Sequence, residues 1–568
     1  YVTLDDPLNK EEVLDHFNKT FDFAKSQMGS AQEIALRLTP LKDVYYTHDT
    51  TFDFNPKGHR ETNYVLLGIA FLILFIAGIN FTNLTTSLIP LRLKTINTHR
   101  VLGCSIYKLR AISLIESIVI CLISYILALF IVNDLSYTPI ANWVDADIRL
   151  SQYKGLILLT ALIAILTGCL AGLYPAIRST SYAPALVLKG SFGLSPKGKK
   201  VRVALIGFQY TVSIALIIVT LFMGLQNHFM TSSEQLGFNK DQVAIVNLTP
   251  EIYAKHKPQY IQKLKDYPGI EDVAFSVYEL SKEDDMIDLE YARHEDKDVF
   301  FKVFYASENF LSVMDIQVEE GRDFTREDLN KAQSDYIINP AAERDFHLHP
   351  GDRFNDRTVL GVSKDFRFNS CRIASSPFVF ALNNDIPNPK LVSYIRFNSK
   401  TNLQEAVAHV RETLKEIDPT FPFEISFYNT ILNNLYQKEQ TLGKLISLFG
   451  IMAILISIVG VFGLVLFETQ YRRKEIGIRK INGATTGQIL LMFNKTYIRI
   501  VSVCFIISIP IAWMGTQQWL ENFAYKTPLH LWVFIVAFLI ILSVTIGTVT
   551  FRNWQAANEN PVNSVKSE

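Results

Sequence analysis

"RRKEIGIRKINGA", residues 472–484, follows closely on an uncharged run that starts at Leu445 and reads LISLFGIMAILISIVGVFGLVLF, and a further apolar run starts near residue 497. Positive charge concentrated between two such segments marks the cytoplasmic side of a bilayer, because Lys and Arg in short loops are retained there. Read as a helix, the stretch sets Glu475 four residues before Arg479, the favourable order for an i,i+4 ion pair. It ends on Asn482-Gly483, where Gly accepts the left-handed conformation that stops a helix. Ile476, Ile478 and Ile481 supply apolar anchors. The stretch therefore reads as a short basic helix lying on a membrane surface.

The rest of the chain has the matching character. Hydrophobic residues make up 49% of its 568 positions and aromatics 12%, more than a soluble multidomain protein carries. The formal net charge of +0 lacks the basic excess of a nucleic-acid binder, so nucleic acid is not an expected partner. Cys104, Cys121, Cys169, Cys371 and Cys504 are scattered without CxxC spacing and point to neither a zinc site nor a disulfide framework.

A hydrocarbon core of about 30 Å needs roughly 20 helical residues. Segments near 64–88, 112–132, 155–177, 203–225, 445–467, 497–516 and 530–551 meet that length, predicting seven spans. The loop 89–111 carries Arg92, Lys94, Arg100, Lys108 and Arg110 with no acid, and the loop 178–202 carries Arg178, Lys189, Lys197, Lys199, Lys200 and Arg202, again with none. Both are expected inside. The loops 133–154 and 517–529 lack that excess and are expected outside, with residues 1–63 and 226–444. The chain opens on Tyr1 without a Met. An outside N-terminus with an odd span count implies one further span, eight in the intact protein.

Residues 226–444 have soluble character. Strand-like runs Val243–Leu248, Val273–Val277, Val299–Tyr305 and Leu391–Phe397 alternate with amphipathic stretches 255–266 and 402–417, broken by Pro268-Gly269, Pro350-Gly351 and Pro419. This predicts an α+β domain, with room for two subdomains, and a helix over 424–444 leading into the next span. The expected fold class is thus a membrane α-helical bundle with an outer α+β domain. The boundaries are 1–63 as the end of a first outer domain, 64–202 as a first membrane unit of three spans, 203–225 as a span leading out, 226–444 as the outer domain with its stalk helix, and 445–568 as a second three-span unit.

Slid against itself by 380 positions, the sequence lays "RLKTINTHRVLGCS" (Arg92 to Ser105) over "RRKEIGIRKINGAT" (Arg472 to Thr485). Arg92 meets Arg472, Lys94 meets Lys474, Ile96 meets Ile476, Arg100 meets Lys480 and Gly103 meets Gly483. "PALVLK" (184–189) and "PVNSVK" (561–566) echo each other after the third span of each set. The membrane part is therefore two copies of one unit, a design in which repeats frame a shared pathway. A topology anchor needs only charge, whereas this repeat keeps the spacing of Arg, Lys, Ile and Gly.

"RRKEIGIRKINGA", the upstream "GVFGLVLFETQ" (460–470) and "INFTNL" (79–84) resemble the FtsX-like permease domain of MacB-type ABC transporters, in particular the long fused permeases of the Bacteroidetes. That resemblance covers essentially the whole chain. It implies an outer domain of MacB core type, a multi-pass location in the bacterial inner membrane with the large domain in the periplasm, and no cofactor. It further implies a separate ABC ATPase subunit in two copies, and a periplasmic adaptor or outer-membrane component beyond the lipid bilayer itself. Arg472, Arg473, Lys474, Glu475, Ile476, Gly477, Arg479, Lys480 and Gly483 would form one ATPase-docking helix, and Arg92, Lys94, Ile96, Arg100 and Gly103 the other. The first copy has Thr95, Asn97 and His99 where the second has Glu475, Gly477 and Arg479, which implies unequal coupling of the two halves. The output would be export of a peptide, lipoprotein or antimicrobial. The alternative is a signal-relay scaffold that activates a periplasmic hydrolase or senses an antibiotic peptide.

Other motifs fall away. "GLSPKGKK" (193–200) approaches a phosphate-binding loop, but Lys200 stands where Ser or Thr should hold magnesium and no strand precedes it, so ATP hydrolysis is expected in a partner and the chain is not expected to be an enzyme. His347 and His349 in "FHLHP" lack a third metal ligand nearby in sequence, and Glu283, Asp284 and Asp285 read as a solvated turn. No catalytic or metal residue is expected. Gly460 and Gly463 read as sites of close helix packing. Apart from Glu116 and Arg499 the spans are nearly free of ionisable groups, unlike an ion-coupled carrier.

Overall fold

Each apolar segment becomes a helix, since a backbone in lipid must satisfy its own hydrogen bonds. The computed structural model describes residues 10–20, 38–46, 58, 60–143, 149–181, 196–232, 236–281, 288–295, 297–331, 333–382 and 391–558. The "PALVLK" and "PVNSVK" echoes and the acids at 283–285 lie outside them, as do the first residues of "GLSPKGKK". Helices α1 (Lys10–Thr20), α2 (Leu41–Val44), α3 (Arg60–Ser87), α4 (Ile89–Val101), α5 (Ile106–Leu135), α6 (Lys154–Thr180) and α7 (Pro196–Thr231) come first.

The sheet domain follows, built from β1 (Val243–Leu248), β2 (Ile270–Ser276), β3 (Asp288–His294), β4 (Lys297–Ala306), β5 (Val318–Gly321), β6 (Tyr336–Ile338), β7 (Arg353–Phe354), β8 (Arg357–Ser363), β9 (Phe378–Leu382), β10 (Leu391–Phe397) and β11 (Ile425–Phe427). Helices α8 (Lys257–Lys265), α9 (Phe310–Met314), α10 (Pro340–Phe346), α11 (Leu403–Ile417) and α12 (Tyr428–Leu435) are interspersed. The chain then returns through α13 (Gln437–Tyr471), α14 (Arg473–Ile481), α15 (Thr486–Leu520) and α16 (Leu531–Ala557). Among the described residues seven helices, α3, α5, α6, α7, α13, α15 and α16, are long and apolar enough to cross a membrane, so the chain is a multi-pass membrane protein.

There are two compact units, Tyr1–Phe71 and Leu72–Glu568. In the first, Arg60 pairs with Asp43, and Asn63 Nδ2 donates to the Tyr46 hydroxyl at 3.2 Å.

In the second unit, the sheet runs β11-β1-β10-β2-β4-β9-β6-β8-β5, with β3 on β4 and β7 on β8. The β4–β9 and β6–β8 pairs are parallel and the other pairings antiparallel. β2 meets β4 through the single pair Ser276↔Ala306, so two lobes share one sheet instead of forming separate subdomains. On one lobe the amphipathic α11 buries Ala406, Val410 and Leu414, which share a core with Ala244, Val273 and Ile395. On the other, Phe301, Tyr336, Phe346 and Phe354 pack together. The expected 424–444 helix is instead a strand, β11, over Ile425–Phe427 followed by two helices: α12 ends at Leu435, Tyr436 with φ −105° is not helical, and α13 starts anew at Gln437.

In the bundle, α7, α13, α15 and α16 enclose a core of Tyr210, Ile214, Phe222, Val465, Phe493, Tyr497 and Ala537. Two pairs of polar side chains bridge helices inside it: Ser213 Oγ lies 2.9 Å from Ser457 Oγ, and Thr469 Oγ1 donates to Asn553 Oδ1 at 2.7 Å. α5 packs along α6, where a Cβ on Gly172 would lie 2.5 Å from Ser117 Oγ. α3 meets α13 through the two motifs named above: Asn80 Nδ2 donates to the Ile456 carbonyl at 2.6 Å, and a Cβ on Gly460 would stand 2.4 Å from Asn80 Oδ1. Gly463 likewise leaves room for Leu84, with 2.1 Å between its notional Cβ and Leu84 Cδ2. The glycines are thus where two spans of corresponding position touch. Gly460→Leu is expected to destabilise the detergent-solubilised chain by about 1–3 kcal/mol through overpacking. Gly547→Leu, at a position with open space around it, should leave the thermal midpoint nearly unchanged.

Candidate functional site

α4 and α14 stand at corresponding points of the two halves, each after one span and before the next. Their ends match bond for bond. The Gly103 N–H donates to the Arg100 carbonyl at 3.0 Å and the Cys104 N–H to the His99 carbonyl at 2.9 Å; the Gly483 and Ala484 N–H groups do the same to Lys480 and Arg479 at 3.1 and 3.0 Å. Both are Schellman closures, with Gly103 at φ +90° and Gly483 at φ +87°. The next span is capped in both by a hydroxyl, the Ser105 Oγ accepting from the Lys108 N–H and the Thr485 Oγ1 from the Gln488 N–H. In the second copy Gln488 also bonds back to Thr485, completing a capping box. Each half thus presents a short helix held at a sharp corner.

On α14, Ile476 and Gly477 are buried, Ile476 among the bundle residues Val465, Ile489 and Phe493, while Ile478 and Ile481 are exposed. Only one of the three expected anchors therefore packs inward, because the other two lie on different faces of the helix. Arg479 pairs with Glu475 at 2.8 Å, the order read from the sequence. Both side chains are about half exposed, so the pair contributes only tenths of a kcal/mol and serves mainly to orient the guanidinium. Arg472 is gripped more firmly: Glu468 on α13 pairs with it at 3.0 Å, Tyr497 donates to the same carboxylate at 3.3 Å, and the Phe493 ring lies 5.8 Å away. Arg473 and Lys474 are described only as part of the α14 backbone.

The first copy is tied differently. Arg92 pairs with Glu116 on α5 at 2.8 Å, and Arg100 donates to the Thr180 carbonyl at the end of α6 at 3.2 Å. Ile96 is half-buried, as is Arg100, and Lys94 is described only as part of the α4 backbone. Asn97, standing where the second copy has Gly477, is buried and donates to the Leu93 carbonyl at 2.9 Å. α14 is therefore tied to the spans on both sides of it, its Arg472 pairing with the span before, and α4 is tied to the two spans after it.

Sequence reasoning missed Glu468, Tyr497, Phe493 and Thr180 as the groups that hold these helices. Glu468 was within reach, since it lies in the "GVFGLVLFETQ" motif; the others are distant in sequence and come together only by packing.

The model of the FtsX-like permease C-terminal domain matches residues 67–184 and 447–561, the two three-span units. The macrolide export ATP-binding/permease protein MacB of Aggregatibacter actinomycetemcomitans is 25% identical over 212 residues, 35% of this chain and 32% of that protein. The MacB protein of Neisseria gonorrhoeae is 25% identical over 223 residues, 37% of this chain and 34% of that one. The chain thus spans about a third of the length of these curated relatives. Among solved structures, the periplasmic region of MacB from Actinobacillus actinomycetemcomitans aligns with a TM-score of 0.26 at 15% identity over 35% of this chain and 94% of that one. Another is the extracellular domain of the noncanonic ABC-type transporter YknZ from Gram-positive bacteria, with a TM-score of 0.25 at 15% identity over 32% and 99%. The FtsX-like permease module is thus present in both membrane halves, and the chain is similar to the MacB-type ABC permeases.

Gly483→Ala is expected to cost about 1–2 kcal/mol, the strain of a left-handed residue with a Cβ. Gly483→Asn should cost less, since Asn tolerates that conformation, and the order of thermal midpoints in detergent checks it.

Proposed function

We propose that this chain is the permease of an ABC-type complex and transmits the motion of a separate ATPase, present in two copies, to the periplasm. α14 and α4 are the docking helices, with Arg472, Arg473, Lys474, Glu475, Arg479 and Lys480 on one side and Arg92, Lys94 and Arg100 on the other. The chain itself carries no chemistry; the ATPase supplies it. It resides in the bacterial inner membrane, and the sheet domain acts on a peptide, lipoprotein or antimicrobial, alone or through a periplasmic adaptor or outer-membrane component.

The observation that carries this reading is the joint at the other end of the spans. The segment 364–377 between β8 and β9 is clasped by the outer ends of the bundle. Arg372 Nε donates to Glu439 on α13 at 2.8 Å and its guanidinium lies 4.7 Å from the centroid of the Phe523 ring. Arg367 lies 4.1 Å from the Tyr525 ring centroid and 5.3 Å from that of Phe229 on α7. The Tyr525 N–H donates to the Cys371 carbonyl at 3.1 Å, its hydroxyl accepts from the Ser375 N–H at 3.2 Å, and its carbonyl accepts from Gln226 Nε2 at 3.0 Å. The Tyr436 hydroxyl, at the break before α13, accepts from the Cys371 N–H at 3.2 Å. Burial pushes the Cys371 thiol up from its ordinary value, so it remains neutral within the joint. α13, roughly 50 Å long at 1.5 Å per residue, links Glu439 near one end to the corner before α14 at the other. A displacement of α14 is thereby carried along a rigid rod into the sheet.

Affinity purification of the full-length protein from its native membrane in mild detergent tests the docking. An ATPase should copurify with the wild type and be lost with Arg479→Glu/Lys480→Glu; copurification with neither returns the stretch to a topology anchor and favours the scaffold reading. Lys480→Glu should reduce ATPase stimulation more than Arg100→Glu, and equal losses refute unequal coupling. Tyr525→Ala should leave the ATPase bound yet abolish any ATP-dependent change in hydrogen exchange across 364–377.

A further inference from the structure

We infer that the edge of the sheet domain holds a divalent transition-metal site formed by Glu320, Glu343 and His349. "FHLHP" on its own lacks a third ligand, because the other ligands are supplied by elements that folding brings alongside. Glu320 lies on β5, the strand that ends the sheet path; Glu343 lies in α10; His349 lies in the turn beyond that helix. One ligand atom from each of the three lies within 4.8 Å of the other two, and His349 Nδ1 is 3.7 Å from Glu343 Oε1. Among the described residues neither carboxylate is paired with a Lys or Arg. Two acidic groups gathered around an imidazole with no cation between them form a negative cup, and a metal ion would balance it.

The backbone presents each ligand on a stiff support. Gly321, at φ +80°, lies so close to β8 that a Cβ there would stand 2.2 Å from the Leu360 carbonyl oxygen, which fixes Glu320 beside it. The helix bearing Glu343 starts at an Asn339 cap whose side chain accepts from the Ala342 N–H. Beyond it, the Leu348 N–H donates to the Glu343 carbonyl at 3.2 Å and the Leu348 side chain is buried. His349 and Asp352 then close on each other: the His349 N–H donates to Asp352 Oδ2 at 2.8 Å and the Asp352 N–H to the His349 carbonyl at 3.0 Å.

An imidazole with two carboxylates is a ligand set for Zn²⁺, at bond lengths of about 2.0–2.2 Å, with a fourth position left to water or to a group on another molecule. Ligand atoms around such an ion lie roughly 3.4 Å apart, so rotation of exposed side chains must close the cup by about 1 Å. His349 is free to make that movement, its side chain being 71% exposed. The bound ion would clip the edge strand β5 to the end of α10. His347, two residues away, is at the left-handed end of α10 with φ +54° and is no part of the cluster.

The test is calorimetric titration of ZnCl₂ into the untagged full-length chain in detergent, after chelation and removal of the chelator. The expected result is saturable binding of about one ion per chain, weakened at least about tenfold by Glu343→Gln and by His349→Ala, given that loss of a mere supporting group already costs 10–100-fold. His347→Asn, which keeps the left-handed corner, should bind as the wild type does. Absence of a saturable site overturns the inference, and so does binding that survives His349→Ala or is lost in His347→Asn. The site is independent of the ATPase reading, so the two stand or fall separately.

Discussion

The unbroken backbone ladder of α13 is the constraint on which the rest depends. A helix from Gln437 to Tyr471 has every internal N–H and C=O satisfied within itself, which lets it cross lipid and also makes it stiff. One end carries Glu439 in the grip of Arg372, and the other carries Glu468 in the grip of Arg472. Both charged pairs sit at the helix ends, where the cost of desolvation is lowest, and the run 445–467 between them is uncharged. Without that rod, the basic corner and the sheet would be two unrelated surfaces.

Duplication then supplies the geometry around the rod. The two corners share their Schellman closures and hydroxyl caps because these depend on a few local residues, a Gly and a Ser or Thr, that both copies retain. What holds each corner to its bundle differs, because those contacts depend on side chains of other spans, which the repeat has not kept. Arg92 and Arg472 align in sequence, yet one turns to the span after it and the other to the span before. The glycines of "GVFG" show the same logic: small residues were legible, but that Asn80 and Leu84 fill the space above them is a fact of packing.

Much of the fold and part of the candidate site were legible. β1 and β10 occupy the runs expected for them, Val243–Leu248 and Leu391–Phe397, because β-branched and aromatic residues between turn signals leave little choice. The Glu475–Arg479 pair and the stop at Gly483 follow from helical spacing and from the one residue that accepts positive φ. The interruption at Tyr436 was not legible. Its hydroxyl bonds to Cys371, sixty-five residues earlier in the chain, and no local propensity announces that partner.

The sequence by itself determined that the chain crosses a membrane repeatedly, that the membrane part is a repeat, and that an α+β domain interrupts it. Those are consequences of hydrophobic length, charge and periodicity, which act locally. Only the tertiary structure decided that 364–377 is the joint between sheet and spans, that α4 and α14 are suspended from different helices, and that Glu320 comes to His349. Each of these joins residues distant in sequence, and such contacts are selected by shape and by the pairing of buried polar groups, which no window of sequence encodes.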